Sequence, residues 1–355
     1  MNAFIHAPAR NRSQSPDTQR TSRAHLEILC PTLLRPIPEH TGLRMRTPAI
    51  ARLLARAERR PGRNADPVAA LMGAFGLDGE RPTAPIAVLG EGVAVEPERF
   101  WMHADPIHLR PDRERLLVYA GTSIAPDPDE AKALVEGFNR HFADEGLQLI
   151  APAQARWYLR VDRPMPGWPM APLHRIQGGS MAEYLPRGSE ACDWVRLLNE
   201  IQMLFHADPV NRRREAAGRP IINGIWIWGG GTLPRPSEFG SAPDTLVGDH
   251  PLLLGLARLT GRPRRSLANW LDDPGPITGQ QLVFWDRPWR AWLEYDLETW
   301  SGAIRELEAA IERLWTPLRV GRLGTIQLDP CDGETFALTT RQTWRFWRRR
   351  ARIHD

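Results

Sequence analysis

The chain has 355 residues, 42% of them hydrophobic and 25% charged, with a formal net charge of +4. That is long enough for one large domain or two modest ones with a real core, and no apolar run approaches the roughly 18 to 20 residues of a transmembrane helix. Three widely separated cysteines, Cys30, Cys192 and Cys331, give neither a disulfide framework nor a CxxC metal spacing, so a reducing cytoplasm is expected.

Residues 1–24 contain Arg, Ser, Pro and Gln without the apolar centre of a secretory signal, and are expected to form a disordered basic leader. A β-like run at 25–29 and a helix at 47–59, with Thr47 as cap and Pro48 in its first turn, read as an opening β-α unit. A second helix is expected to start at its cap, Asp66. Pro and Gly cluster at 77–85, which marks a connection. A strand at 115–119 precedes an amphipathic helix at 127–145, where Leu134, Phe138 and Phe142 recur at helical spacing. Strands follow at 147–150 and 157–161, then a Pro-rich loop at 164–172 and a helix capped by Ser189. Residues 225–228 read as a buried strand with Trp226 and Trp228 on one face. The Gly229-Gly230-Gly231 run after it lacks P-loop and GxGxxG spacing and is expected to be a tight turn. A helix from His250, a strand at 282–285, a helix at 297–314 and a strand at 325–329 complete an alternation that favours α/β.

Charge is uneven. Residues 1–63 hold 12 arginines against 4 acidic residues, and residues 341–355 hold 6 against 1, while the body between is acidic. The tail interleaves Trp344, Phe346 and Trp347 with arginines. That pattern suits stacking and phosphate binding, and it equally describes a last element that packs its aromatics and leaves its arginines solvated. Lys occurs once, at Lys132, so arginine enrichment is chain-wide. Neither nucleic acid nor a membrane is expected as a partner.

Among single residues, His103, Asp105 and His108 lie close enough in sequence to hold a metal, but a satisfied polar cluster is the expectation. Asn211 and Arg214 suit an anion's oxygens; alternatively Asn211 caps a helix and Arg214 pairs with Glu215 or Glu200. Cys30 beside Pro31 reads as inert core.

Residues 197–231 carry the densest pattern: Asp208-Pro209-Val210-Asn211, Arg214, Gly218, Asn223, Ile225, Trp226, Trp228, Gly229 and Gly231. Their spacing resembles the middle of the archaeal-type cofactor-independent phosphoglycerate mutases of the alkaline phosphatase superfamily, which have His where Asp208 stands. The runs at 104–109, 198–204 and 226–231 are also similar to a bacterial group of RpfE-type regulatory proteins, which has no established chemistry.

The resemblance implies an α/β fold with an alkaline phosphatase-like core sheet from residues 25–90 and 215–340, an inserted α+β segment at 91–214, and a basic aromatic tail at 341–355. It also implies loss. Cys30-Pro31 stand where the family has a metal-binding Asp-Gly, and Asn64-Ala65-Asp66 where it has the nucleophile's turn. The strands ending near Asp286 and Asp329 lack the family's histidines, since no His occurs from 251 to 353. The expectation is a bacterial, non-catalytic, mutase-derived regulatory or binding protein without a resident cofactor. It would hold a small anion or a protein partner through Asp105, Asn211, Arg214, Asn223, Trp226, Trp228 and Gly229. The alternatives are an active mutase or phosphatase, which would need Mn or Zn, and a nucleic-acid-binding accessory protein.

Overall fold

The computed structural model describes residues 24–162, 171–185 and 192–348. The expected leader, most of the Pro-rich loop and the Ser189 cap lie outside the described residues.

Two sheets organise the chain. The first half of the larger one comes from β1 (His25–Leu29), which leads through α1 (Pro48–Arg56) to β2 (Glu58–Pro61), α2 (Pro67–Gly73) and α3 (Ala84–Gly90). Thr47 occupies the N-cap of α1 but makes no side-chain cap bond. The carboxylate of Glu308, far along the chain, instead accepts the amides of Ala49 at 2.6 Å and Ile50 at 2.9 Å, a negative charge at a helix N-terminus. Asp66 does cap α2, accepting from Val68 and Ala69.

The smaller sheet follows: β3 (Phe100–Asp112), β4 (Arg115–Tyr119), α4 (Pro128–His141), β5 (Leu147–Ala153) and β6 (Arg156–Val161). The helix α4 opens with a full capping box between Asp127 and Glu130. Then come α5 (Leu173–Ile176), α6 (Cys192–Ala207), α7 (Pro209–Ala216) and β7 (Gly224–Gly231). The expectation that residues from 215 belong to the core does not hold for β7, which pairs antiparallel with β3 from Trp101 to Ile107. Its buried residues Ile225, Trp226 and Ile227 belong to one apolar cluster with α4, β6 and α6, so the inserted unit runs through Gly231.

The chain then returns to the larger sheet: β8 (Thr245–Val247), α8 (Pro251–Thr260), β9 (Arg264–Arg265), α9 (Leu267–Asp272), β10 (Gln280–Phe284), α10 (Arg287–Leu293), α11 (Leu297–Arg319), β11 (Thr325–Asp329) and β12 (Glu334–Thr339). Its seven strands lie in the order β2-β12-β11-β1-β10-β8-β9, with only β12 and β2 antiparallel to their neighbours. The side chains alternate between faces as a pleated strand requires. Ile28, Val283 and Trp285 pack with α1, α9 and α11, while Leu29, Leu282 and Phe284 pack with α2, α3 and α8. The chain is therefore mixed α/β, a central sheet flanked by helices on both faces.

Candidate functional site

In a parallel sheet the carboxyl ends of the strands, where backbone groups leave the ladder, are the usual ligand face. Here Cys30 directly follows β1, Asp286 lies two residues beyond β10, and β11 ends at Asp329. The Cys30 amide donates to the Asp329 carbonyl at 2.8 Å, and one Asp329 carboxylate oxygen accepts the Cys331 amide at 2.7 Å. The other oxygen of Asp329 is buried without a hydrogen-bond partner, and so is Oδ2 of Asp286, whose nearest cation is Arg290 at 3.8 Å. Burial pushes the carboxyl of each up to about 6. Burial likewise raises both thiols, Cys30 and Cys331, far from thiolate chemistry.

At the start of α2 lies an open cleft of about 640 Å³. It is lined by the start of α2 (Asn64, Asp66), by Glu80, Arg81 and Thr83, by Arg175, and by Trp228, Gly229 and Gly230 at the end of β7. Asp66 is its central charge. One oxygen caps α2; the other accepts from His174 Nε2 at 2.7 Å and Arg175 Nε at 2.9 Å. Burial pushes this carboxyl up, yet the His174 and Arg175 contacts and the helix amides outweigh it and hold the group well below the usual carboxylate range. The His174 ring stands edge-on to Trp289, 5.0 Å away, and His250 stacks on the same Trp289. An aromatic wall thus joins the strand ends to the cleft.

Trp228 is the cleft's link to the inserted sheet. It stacks on His103 with 3.9 Å between ring centroids and donates its indole N–H to Asp105 at 2.8 Å. His103 meets Thr83 Oγ1 at 3.2 Å. Burial drives the His103 imidazole down to about 3, helped by His250 and Arg156, and burial raises the Asp105 carboxyl to about 7 against the Trp228 bond. Gly229 has φ of +61°, and a Cβ there would lie 2.3 Å from Thr83 Oγ1, so glycine is required both by conformation and by closeness. The glycine run is not the expected tight turn: it continues β7, with Gly231 paired to Trp101 across an irregularity in the β3 register.

Of the seven residues expected to line a ligand site, Trp228 and Gly229 reach the cleft. Asp105 lies behind Trp228. Trp226 is fully buried and donates to the Ala171 carbonyl at 2.9 Å. Asn211, Arg214 and Asn223 form a separate buried cluster whose polar atoms are spent on the protein itself. Asn211 donates to the carbonyls of Phe205 and Ile222 and accepts the Ile222 amide. It does not cap α7; Asp208 does. Asn223 exchanges two bonds with the Leu109 backbone, at 2.7 and 2.9 Å. Arg214 donates to the carbonyls of Pro220 and Ile124 and to Glu130 at 2.6 Å, rather than to Glu215 or Glu200. An anion there would have to displace bonds already made.

The sequence reading missed His174, Arg175, Trp289 and the open oxygens of Asp286 and Asp329. His174 and Arg175 follow the Pro-rich stretch with no periodic pattern to place them. His103, Asp105 and His108 do not converge as metal ligands: His108 Nδ1 meets the Ile221 carbonyl at 2.8 Å. Among the described residues, no three His, Cys, Asp or Glu side chains stand together as a metal cage. Two open carboxylates fall short of the donors a two-metal phosphoryl site takes, so the residues present do not fit that group.

Similar proteins add a lineage to this geometry. A probable 2,3-bisphosphoglycerate-independent phosphoglycerate mutase of Geobacter sulfurreducens is 26% identical over 156 residues, 44% of this chain and 39% of that protein. The corresponding mutase of Methanosarcina barkeri is 27% identical over 158 residues, 44% of this chain and 38% of its own length. The chain is a distant relative of the cofactor-independent phosphoglycerate mutases. Its matches span less than half the length of these curated relatives, and no family profile matches it. Among solved structures, a Pyrococcus horikoshii protein covers 89% of this chain and 87% of its own at 16% identity, with a TM-score of 0.49. A cofactor-independent phosphoglycerate mutase from Thermoplasma acidophilum covers 89% of this chain and 90% of its own at 16% identity, with a TM-score of 0.41.

Proposed function

We propose that this protein is a non-catalytic, phosphoglycerate-mutase-derived binding protein of the RpfE regulatory type, which uses the cleft at Asp66 and Trp228 to hold a small anionic ligand or a partner segment. The observation that carries the reading is the start of α2. The turn that the mutase resemblance gives to the nucleophile holds Ala65, whose methyl group cannot attack phosphorus. Its neighbour Asp66 is engaged on both oxygens by Val68, Ala69, His174 and Arg175. A phosphoenzyme route needs an activated nucleophile. What this corner retains is recognition chemistry: Arg175, with its side chain 55% exposed, at the cleft mouth beside the partly exposed Trp228.

The test is an enolase-coupled assay with 3-phosphoglycerate and added Mn, run on the whole protein. No rate above background is expected, and Ala65→Ser should not restore one, because metal activation that contributes several kcal/mol to such steps would still be missing. Elemental analysis of the purified protein should find no stoichiometric Mn or Zn. Robust turnover that is lost on chelation would overturn the reading.

A second reading, an active mutase or phosphatase, draws its support from the open oxygens of Asp286 and Asp329 at adjacent strand ends. It requires turnover that disappears in Asp329→Asn and survives Ala65→Gly.

A further inference from the structure

One end of the core exposes apolar and cationic side chains together. The end of α11 and the loop after it present Arg319, Val320 and Arg322. The stretch after β12 lies alongside, tied on by the Thr340 amide and hydroxyl to the carbonyls of Gly324 and Leu323. From it project Arg341, Trp344, Arg345, Phe346, Trp347 and Arg348. Phe346 is 79% exposed, Trp347 67%, Val320 60% and Trp344 54%. The expectation that the tail packs its aromatics is therefore not met.

Charge at this end has one sign. Neither residues 319–324 nor 340–348 contain an acidic residue, and among the described residues none of these five arginines has a carboxylate ion-pair partner. The nearby acids Glu58 and Glu334 on β2 and β12 are matched by Arg60 and Arg59. Arg345 and Arg348 are held in place by carbonyls at the end of α1, Arg56 and Ala57, each at 3.4 Å. Apart from the attraction between Arg345 and Glu58, the charges are positioned without a carboxylate to neutralise them.

Such a surface suits either a nucleic acid strand or an anionic bilayer, and the ring geometry separates them. Strand binding relies on open ring faces for successive bases. Here the Arg319 guanidinium covers a face of Trp344 at 4.4 Å, and Phe346 meets Trp347 edge to face, with 5.4 Å between centroids and 80° between planes. Phe346 and Trp347 thus form an exposed apolar wedge rather than a stacking ladder. A Trp and Phe wedge set among arginines matches the boundary between headgroups and acyl chains of a negatively charged leaflet.

We propose that this end of the core docks reversibly on anionic lipid surfaces. Phe346 and Trp347 enter the headgroup boundary, and Arg319, Arg322, Arg341, Arg345 and Arg348 face acidic headgroups. This revises the expectation of no membrane partner without implying a spanning segment; no helix among the described residues is long and apolar enough to cross a bilayer.

The experiment is co-sedimentation of the full chain with phosphatidylserine-containing vesicles and with pure phosphatidylcholine vesicles, at low and high salt. Binding is expected to the anionic vesicles, weakening with salt. Phe346→Ser with Trp347→Ser should lower it about tenfold or more while the thermal midpoint stays where it was, because both rings are exposed. Arg322→Glu with Arg341→Glu should remove the preference for phosphatidylserine. Equal binding by the aromatic double variant, absence of vesicle binding, or binding of a single-stranded oligonucleotide in place of vesicles would each overturn the proposal.

Discussion

The buried polar cluster at Asn211, Arg214 and Asn223 and the carboxylates at the ends of β10 and β11 look alike in sequence, as polar residues beside apolar strands. In the folded chain they are opposites. The first set meets backbone carbonyls, amides and Glu130 at hydrogen-bond distance. The second keeps one oxygen of each Asp buried and open. A satisfied buried group stabilises a single arrangement, whereas an open one costs free energy in the folded state and is held in reserve for something else. Family resemblance alone pointed to the first set, and the hydrogen bonds redirect attention to the second.

Removing a partner from the satisfied set should hurt most. Arg214→Met leaves Glu130 with only the half-exposed Arg219 as cation and orphans two carbonyls, so unfolding in denaturant should show a loss of about 3–5 kcal/mol. A loss below about 1 kcal/mol would mean that the pair is not buried as described.

Asn223→Ala should come next. It strips both bonds from the Leu109 backbone between β3 and β7 and should cost about 2 kcal/mol. Asn223→Asp, which keeps the acceptor but loses the donor, should also destabilise. A neutral Asn223→Ala would place this residue among the dispensable ones and sink the contrast between the sets.

The open set predicts the opposite sign. The folded Asp329 carboxyl titrates at about 6, above its unfolded value of about 3.9. Its contribution is therefore fully present below about pH 4 and is lost as pH rises through about 6. Asp329→Asn keeps an acceptor for the Cys331 amide and removes the titration. It should be more stable than the wild type at about pH 8, by about 1–2 kcal/mol, with the gap closing toward about pH 4. The neutral, buried His103 and His250, both lowered to about 3, pull the whole-protein profile the other way below about pH 6.5, so the difference between the two proteins is the quantity to read. Parallel profiles would show that the carboxyl does not titrate there.

The smallest stability effect should come from the cleft mouth. Arg175→Ala removes one exposed partner of Asp66 while His174 and the α2 amides remain. Its stability cost should be under about 1 kcal/mol by thermal melt. A larger cost would make Arg175 a structural residue and take it out of the proposed ligand site.

The α/β alternation was legible because its elements carry strong periodicity and caps. The helix at α4 has Asp127 and Glu130 at its start, and β1, β10 and β11 are short apolar runs. β2 was not legible: Glu-Arg-Arg-Pro is wholly exposed and becomes a strand only because β12 lies beside it. β7 was read as a strand but placed in the wrong sheet, since a buried run does not name its neighbour. Within the cleft, Trp228 and Gly229 could be found from the Trp-Gly motif. His174 could not, because its role depends on the fold bringing α5 within 2.7 Å of Asp66 across more than a hundred residues.

The strand order also has a consequence in time. The neighbours of β1 are β10 and β11, both more than 250 residues later in the chain, and the cap on α1 comes from Glu308. The inserted sheet, in contrast, closes between residues 100 and 231. During synthesis the inserted unit can complete itself while β1 still waits with both edges unpaired, an arrangement that makes long-range pairing slow and exposed to aggregation. Truncations near the C-terminal end of the core should for that reason damage its very first strand while leaving the inserted sheet able to form.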